Sequence, residues 1–175
     1  MNTTWRAQRP APDEYASFYS GYVAKVPDGD IVDTLASQIA TTGTFLRSLP
    51  ESVADHRYAP GKWSIREVIG HMSDAERVFA YRALRFSRGD ETPVPGFDEN
   101  HYVANGRFGA RSVEDLTSEF EHLRHATVHL LGGLDEESMS RRGSANNNEV
   151  SVRALAFILA GHEQHHLEIL RTRYL

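Results

Sequence analysis

The 175-residue chain contains no cysteine. Disulfides, thiolate metal sites and a cysteine nucleophile are therefore excluded. It also lacks any apolar run near the ~18 residues of a membrane span. Residues 1–15 (MNTTWRAQRPAPDEY) hold no apolar stretch of signal-peptide length. The expectation is a soluble cytoplasmic protein with no membrane partner. Basic residues are outnumbered, 19 against 24 acidic, for a net charge of -5. That sign argues against a nucleic-acid partner, which would need a basic face. Strand-like alternation of useful length and internal repeats are missing too.

Helical spacing is what the chain does have. At this size and 40% hydrophobic content, one domain with one core is expected over 13–175, preceded by a flexible polar arm at 1–12. Glu14 to Lys25 suggests a short helix interrupted near Gly21. A long helix starts near Asp30, carries Ile31, Leu35, Ile39, Phe45 and Leu46, and stops before Pro50. Ser64 opens a second helix, with Glu67 completing a capping box. Its apolar side runs through Val68, Ile69, Met72, Ala75 and Phe79 towards Gly89. Ser112 caps a third helix that Gly132-Gly133 ends, its buried side marked by Leu116, Phe120, Leu123, Val128 and Leu131. Ser151 starts the last. The fold class is all-α, a four-helix bundle with a short extra N-terminal helix. The loop from 90 to 111 is long for a helix–helix connection, so it and the polar loop at 141–148 are expected to supply substrate contacts.

Nine histidines are many for this length, and three fall at His162, His165 and His166. The apolar stripe of the last helix passes through Leu155, Ile158, Leu159, His162, His166 and Ile169. Residues four apart stand one above the other, so two imidazoles can converge on one point, a common half-site for zinc, nickel or iron(II). The alternative is a pair of solvated histidines near the C-terminus. His165, one residue off the stripe, suits a supporting role. The string His162-Glu163-Gln164-His165-His166 also fits the zincin pattern, but position 172, where a metzincin has its third histidine, is a threonine, and little chain follows. A third ligand must come from upstream. His71 sits in the second helix where it can point inward. His122, His125 and His129 share one face of the third helix and read as a solvated or dimer-facing set. His56 and His101 lie in loops.

The chain resembles the DinB-like family, which includes YfiT-type metal-dependent hydrolases. The resemblance runs from about Asp30 to the C-terminus. It is carried by Tyr58-Ala-Pro-Gly-Lys-Trp-Ser64, Ile69-Gly-His71, Asp74-Ala-Glu-Arg77, Arg82 to Asp90, Pro95-Gly-Phe-Asp-Glu99 and Gly161-His-Glu-Gln-His-His166. It implies a four-helix bundle, a homodimer, and one divalent transition metal (zinc, nickel or iron) on His71, His162 and His166.

Three protein ligands leave an open coordination position, as catalytic sites do. The resemblance implies thiol S-transferase activity, joining a low-molecular-weight thiol to an electrophilic small molecule. A hydrolase with metal-activated water and a non-enzymatic binding protein are the alternatives. Glu67 and Asp74 are placed to orient the His71 imidazole, although Glu67 also serves as a cap. Glu163 lies about 100° around the helix from His162. With no clear general base among these, transfer of a thiol is favoured. Trp63 either packs under the site or staples its loop to the bundle. Arg82 and Arg85 either meet an acidic substrate or line a solvated face.

Overall fold

A computed structural model describes residues 4–175. Four helices form the bundle: α2 (Ile31–Arg47), α3 (Ile65–Ser87), α5 (Val113–Gly132) and α7 (Val152–Ile169), the last continuing as a π turn over Leu170–Tyr174. Helix α2 packs on α5 and α7, and α3 packs on the same two, so α2 and α3 stand at opposite corners of a square. Short helices decorate it: α1 (Ser20–Lys25) on α7, α4 (Glu99–Asn105) on α3, and α6 (Glu136–Ser140) against both α3 and α7.

Each bundle helix begins on a side chain that accepts from the backbone N–H groups left over in a first turn. Asp30 serves Val32 and Asp33, Ser64 serves Glu67, Ser112 serves Asp115, and Ser151 serves Ala154. The Ser64–Glu67 capping box closes as expected, the Glu67 carboxylate accepting from the Ser64 N–H at 2.7 Å.

Three segments differ from the sequence expectation. Helix α1 runs unbroken through Gly21, with 3-10 turns at Pro12–Glu14 and Ser17–Tyr19 before it. The 90–111 loop contains α4 and a 3-10 turn at Phe108–Ala110. The 141–148 loop forms a hairpin, β1 (Arg142–Ala145) with β2 (Asn148–Ser151), turned by Asn146 and Asn147 at φ 52° and 59°. Asparagine tolerates this left-handed pair, which suits the twist of a two-residue turn. Four-residue polar strands show no alternation long enough to read. Of the arm expected at 1–12, residues 1–3 lie outside the described residues; in the remainder Arg6 donates to the Gly132 carbonyl of α5, and Arg9 donates to the carbonyls of Val23 and Val26 at the end of α1.

The apolar interior divides into two parts along the bundle. One gathers Leu35, Phe79, Phe86, Leu131, Leu155 and Ile158, the other Leu46, Ile69, Met72, Leu116, Phe120 and Leu167. Between them every bundle helix contributes buried polar side chains: Gln38 and Thr42, His71 and Glu76, Arg124, and His162, Glu163 and His166. Arg124, between His122 and His125 in the chain, is 1% exposed. It donates to both Glu76 carboxylate oxygens at 2.9 Å and to the Gln38 amide oxygen at 3.0 Å, and it pairs with Glu163. Glu163 also accepts from the Thr42 hydroxyl. One side of this belt is therefore ionic, and the other side is the histidine cluster.

Candidate metal centre

His71 comes from the first half of α3, and His162 and His166 lie one above the other on α7. The Nε2 atoms of His71 and His162 are 3.1 Å apart, as are those of His162 and His166. All three ligating atoms lie within 4.8 Å of one another, and among the described residues this is the one such group of potential metal ligands.

Close approaches of backbone shape the site. Gly161 lets α1 pass so near α7 that a Cβ would sit 2.0 Å from the Tyr22 carbonyl oxygen. Tyr22 thereby presents its ring edge-on to His162, with centroids 5.5 Å apart. Gly70 similarly admits the Phe108 ring beside His71. Trp63 packs on the His71 ring at 4.7 Å, while its carbonyl accepts from the Tyr174 hydroxyl at 2.6 Å. The Trp63 ring thus packs at the site, and its backbone carbonyl joins the 56–63 loop to the turn that follows α7.

The three histidines are 6–7% exposed. Burial pushes the His71 imidazole down to about 4, with the charge of His165 adding to the effect. Burial depresses His162 and His166 well below the ordinary value of 6.5, helped by their histidine neighbours. The rings are thus neutral near pH 7, with lone pairs to offer. A neutral ring nitrogen carries either one proton or one lone pair. His162 Nε2 therefore cannot make good hydrogen bonds to both neighbours, whereas a shared cation satisfies all three atoms. Metal–imidazole bonds of about 2.0–2.1 Å at angles between octahedral and tetrahedral put ligand nitrogens about 2.9–3.4 Å apart. The two 3.1 Å spacings through His162 fall inside that range.

These shifts have a consequence for the metal-free protein. Between pH 6.5 and about 4 the unfolded chain takes up protons that the folded histidines refuse, so stability falls as pH drops through that window. Thermal melts of chelator-treated protein from pH 7.5 to 4.5 should show the decline, beyond that of a His71→Gln variant. Parallel curves for the two proteins would contradict it.

The expected supporting residues differ in where they sit. The Glu67 carboxylate is engaged by Ser64 and Arg57, so capping is its role. Asp74 stands 3.7 Å from Arg77, and burial raises its carboxyl. Glu163 points to Arg124, away from the histidines. His165 is half-buried, with its ring 5.2 Å from Tyr22 and 5.1 Å from His166. His122, His125 and His129 are exposed on α5, and the His122 ring meets the Ser118 carbonyl. His56 and His101 are exposed as well, His56 against the Tyr174 ring.

Two hollows open at the histidines. One, of about 240 Å³, is lined by His71 and His162 together with Tyr19, Tyr22, Phe79, Arg82, Phe97, Glu99 and Asn146. The other, of about 270 Å³, lies beside His166 and is lined by Trp63, Tyr58, Tyr174, Asn100 and again Glu99. The long loop and the hairpin thus both border the site. The sequence shows Glu99 as the end of the Pro95–Glu99 motif but gives it no place at the site, because α4 is too short to show periodicity.

A family model described as the DinB superfamily matches residues 34–170. A protein of Oceanobacillus iheyensis, provisionally named a metal-dependent hydrolase, is 28% identical over 138 residues, covering 78% of this chain and 77% of its own length. YfiT from Bacillus subtilis, described as a probable metal-dependent hydrolase with an unusual four-helix bundle topology, superposes with a TM-score of 0.72. That match is 18% identical and covers 81% of this chain and 84% of YfiT, a likeness of fold. No helix among the described residues is long and apolar enough to cross a membrane. The matched segment contains all three clustered histidines and nearly all of the bundle, and this chain belongs to the DinB superfamily.

Proposed function

We propose that His71, His162 and His166 hold one divalent transition-metal ion, zinc, nickel or iron, and that the protein is a metal-dependent hydrolase of a small molecule. The observation that carries this reading is the convergence of three buried Nε2 atoms at the meeting point of two hollows. Such an ion supplies a Lewis acid with open positions, lowering the pKa of water it holds to about 7 or holding an incoming thiol as thiolate.

Glu99 borders both hollows at the start of α4, where it is solvent-exposed and free to swing. It is the carboxylate available to take a proton from attacking water, the group that the four bundle helices do not offer at the histidines. The names of the O. iheyensis relative and of YfiT point to the same class.

A second reading, thiol S-transfer to an electrophilic small molecule, is favoured by the presence of two hollows, one for each reactant. The two readings separate in one experiment. Metal-loaded wild type and Glu99→Gln are assayed against a panel of esters and amides, and against a model electrophile with low-molecular-weight thiols. Hydrolysis should fall about 10²- to 10⁴-fold in the variant at unchanged metal content. Undiminished hydrolysis would remove Glu99 as base, and thiol-dependent turnover alone would establish the transferase.

A further inference from the structure

Three arginines among the described residues are buried: Arg66, Arg82 and Arg124. Arg66 meets Glu51 and Asp55, and Arg124 meets Glu76 and Glu163. Arg82 has no carboxylate partner among the described residues. It is 3% exposed, donates once to the Pro95 carbonyl at 3.1 Å, and lies over the Phe79 ring at 5.6 Å. The Tyr19 hydroxyl is close by, and the Arg82 Nε has no partner at all. A guanidinium cannot shed its charge as a lysine can. Burying it without a counter-ion is costly, so an arginine kept in this state is waiting for an anion.

Its position says where that anion belongs. His71, Ala75, Phe79 and Arg82 follow one another at helical spacing along one face of α3, and all four line the same hollow. We propose that this hollow is a carboxylate-binding subsite, in which Arg82 holds the anionic end of a substrate whose reacting group lies at His71 and His162. The Asn146 amide, carried by the hairpin, completes its polar lining. Arg82 follows His71 by about three helical turns, and its side chain leans back towards the helix N-terminus. The substrate is accordingly elongated, with several bonds between its carboxylate and its reacting group. Of the two arginines considered from sequence, only Arg82 is so placed; Arg85 is tied to Asp90 at the surface.

The reacting-end assignment rests on the three-histidine reading, so the test has an arm that does not. In the first arm, zinc-loaded protein is titrated with monohydroxamates of linear dicarboxylic acids of five to eight carbons, and with their uncharged methyl esters. The acid should bind about ten- to a hundredfold more tightly than its ester, the worth of a charge-assisted pair. Arg82→Gln should erase that preference while leaving ester affinity and zinc content unchanged. Equal binding of acid and ester to wild type would overturn the subsite and leave the metal reading standing. In the second arm, metal-free protein is melted with and without adipate. A rise in Tm in wild type that is absent in Arg82→Gln supports the subsite even if zinc is never bound. No rise in wild type overturns it. Circular dichroism of Arg82→Gln checks the fold, which should melt no lower than wild type, since an unpaired buried charge has been removed.

Discussion

His162→Ala is expected to abolish stoichiometric metal retention. Both 3.1 Å nitrogen–nitrogen contacts run through this one residue, so its loss leaves two imidazoles that no longer share a neighbour. Partners that merely orient a ligand are worth about 10- to 100-fold in affinity, and loss of a ligand itself should exceed that. Elemental analysis after dialysis against a weak chelator gives the readout for wild type, His71→Ala, His162→Ala and His166→Ala. His165→Ala serves as the control and should keep its metal, because its ring stands beside the cluster rather than within it. Metal at about a hundred times its Kd stabilises a fold by about 2.7 kcal/mol. For a chain of this size that is a rise in Tm of several degrees, and His162→Ala should show none. One equivalent of tightly held metal in His162→Ala would refute the three-histidine site.

Replacing Arg124 should be among the most damaging single changes in the molecule. Its guanidinium joins α5 to α3 through Glu76, to α2 through Gln38 and to α7 through Glu163, all within the interior. Arg124→Ala leaves two carboxylates buried without their counter-ion, and breaking a buried pair in this way costs about 3–5 kcal/mol. That is a large share of the 5–15 kcal/mol by which folded domains are stable, and corresponds to a drop in Tm of about 6–20 °C. Burial already raises the Glu163 carboxyl, and the Arg124 charge opposes that rise. Without the arginine the variant should recover part of its stability at low pH, where the carboxylates can be protonated. Urea unfolding followed by circular dichroism at pH 7 and pH 5 measures both effects. A loss under about 1 kcal/mol would show that the hub is not a stabilising element. Combining Arg124→Leu with Glu76→Leu and Glu163→Leu should restore most of the loss, since an apolar core of similar volume tolerates the exchange.

The two halves of the polar belt were unequally legible. His162 and His166 announce themselves because they occupy an apolar stripe at a spacing of four, where a polar side chain needs a reason to be buried. The resemblance then selects His71 over the other histidines. Arg124 and Glu76 carry no such signal. Each was readable as an ordinary solvated charge on an amphipathic helix, and only the opposing helices turn them inward. Leu123, expected on the buried side of the third helix, is accordingly half-exposed, while Arg124 and Thr127 are buried. Glu163 shows the same effect beside the site: its neighbour His162 faces the histidine cluster while it faces the ionic hub.

By itself, the sequence determined which four segments form the bundle helices, where each of them begins, and which histidines can share a point. These follow from periodicity, capping residues and spacing, all of them local. The tertiary structure decided what surrounds that point. It joined α3 to α7 so that His71 meets His162, and it let Tyr22 approach past Gly161. It also brought Glu99 and Asn146 in from short elements too small to show a period. Arg82 was left buried without a counter-ion in the same way, because burial and pairing are properties of neighbours far apart in the chain.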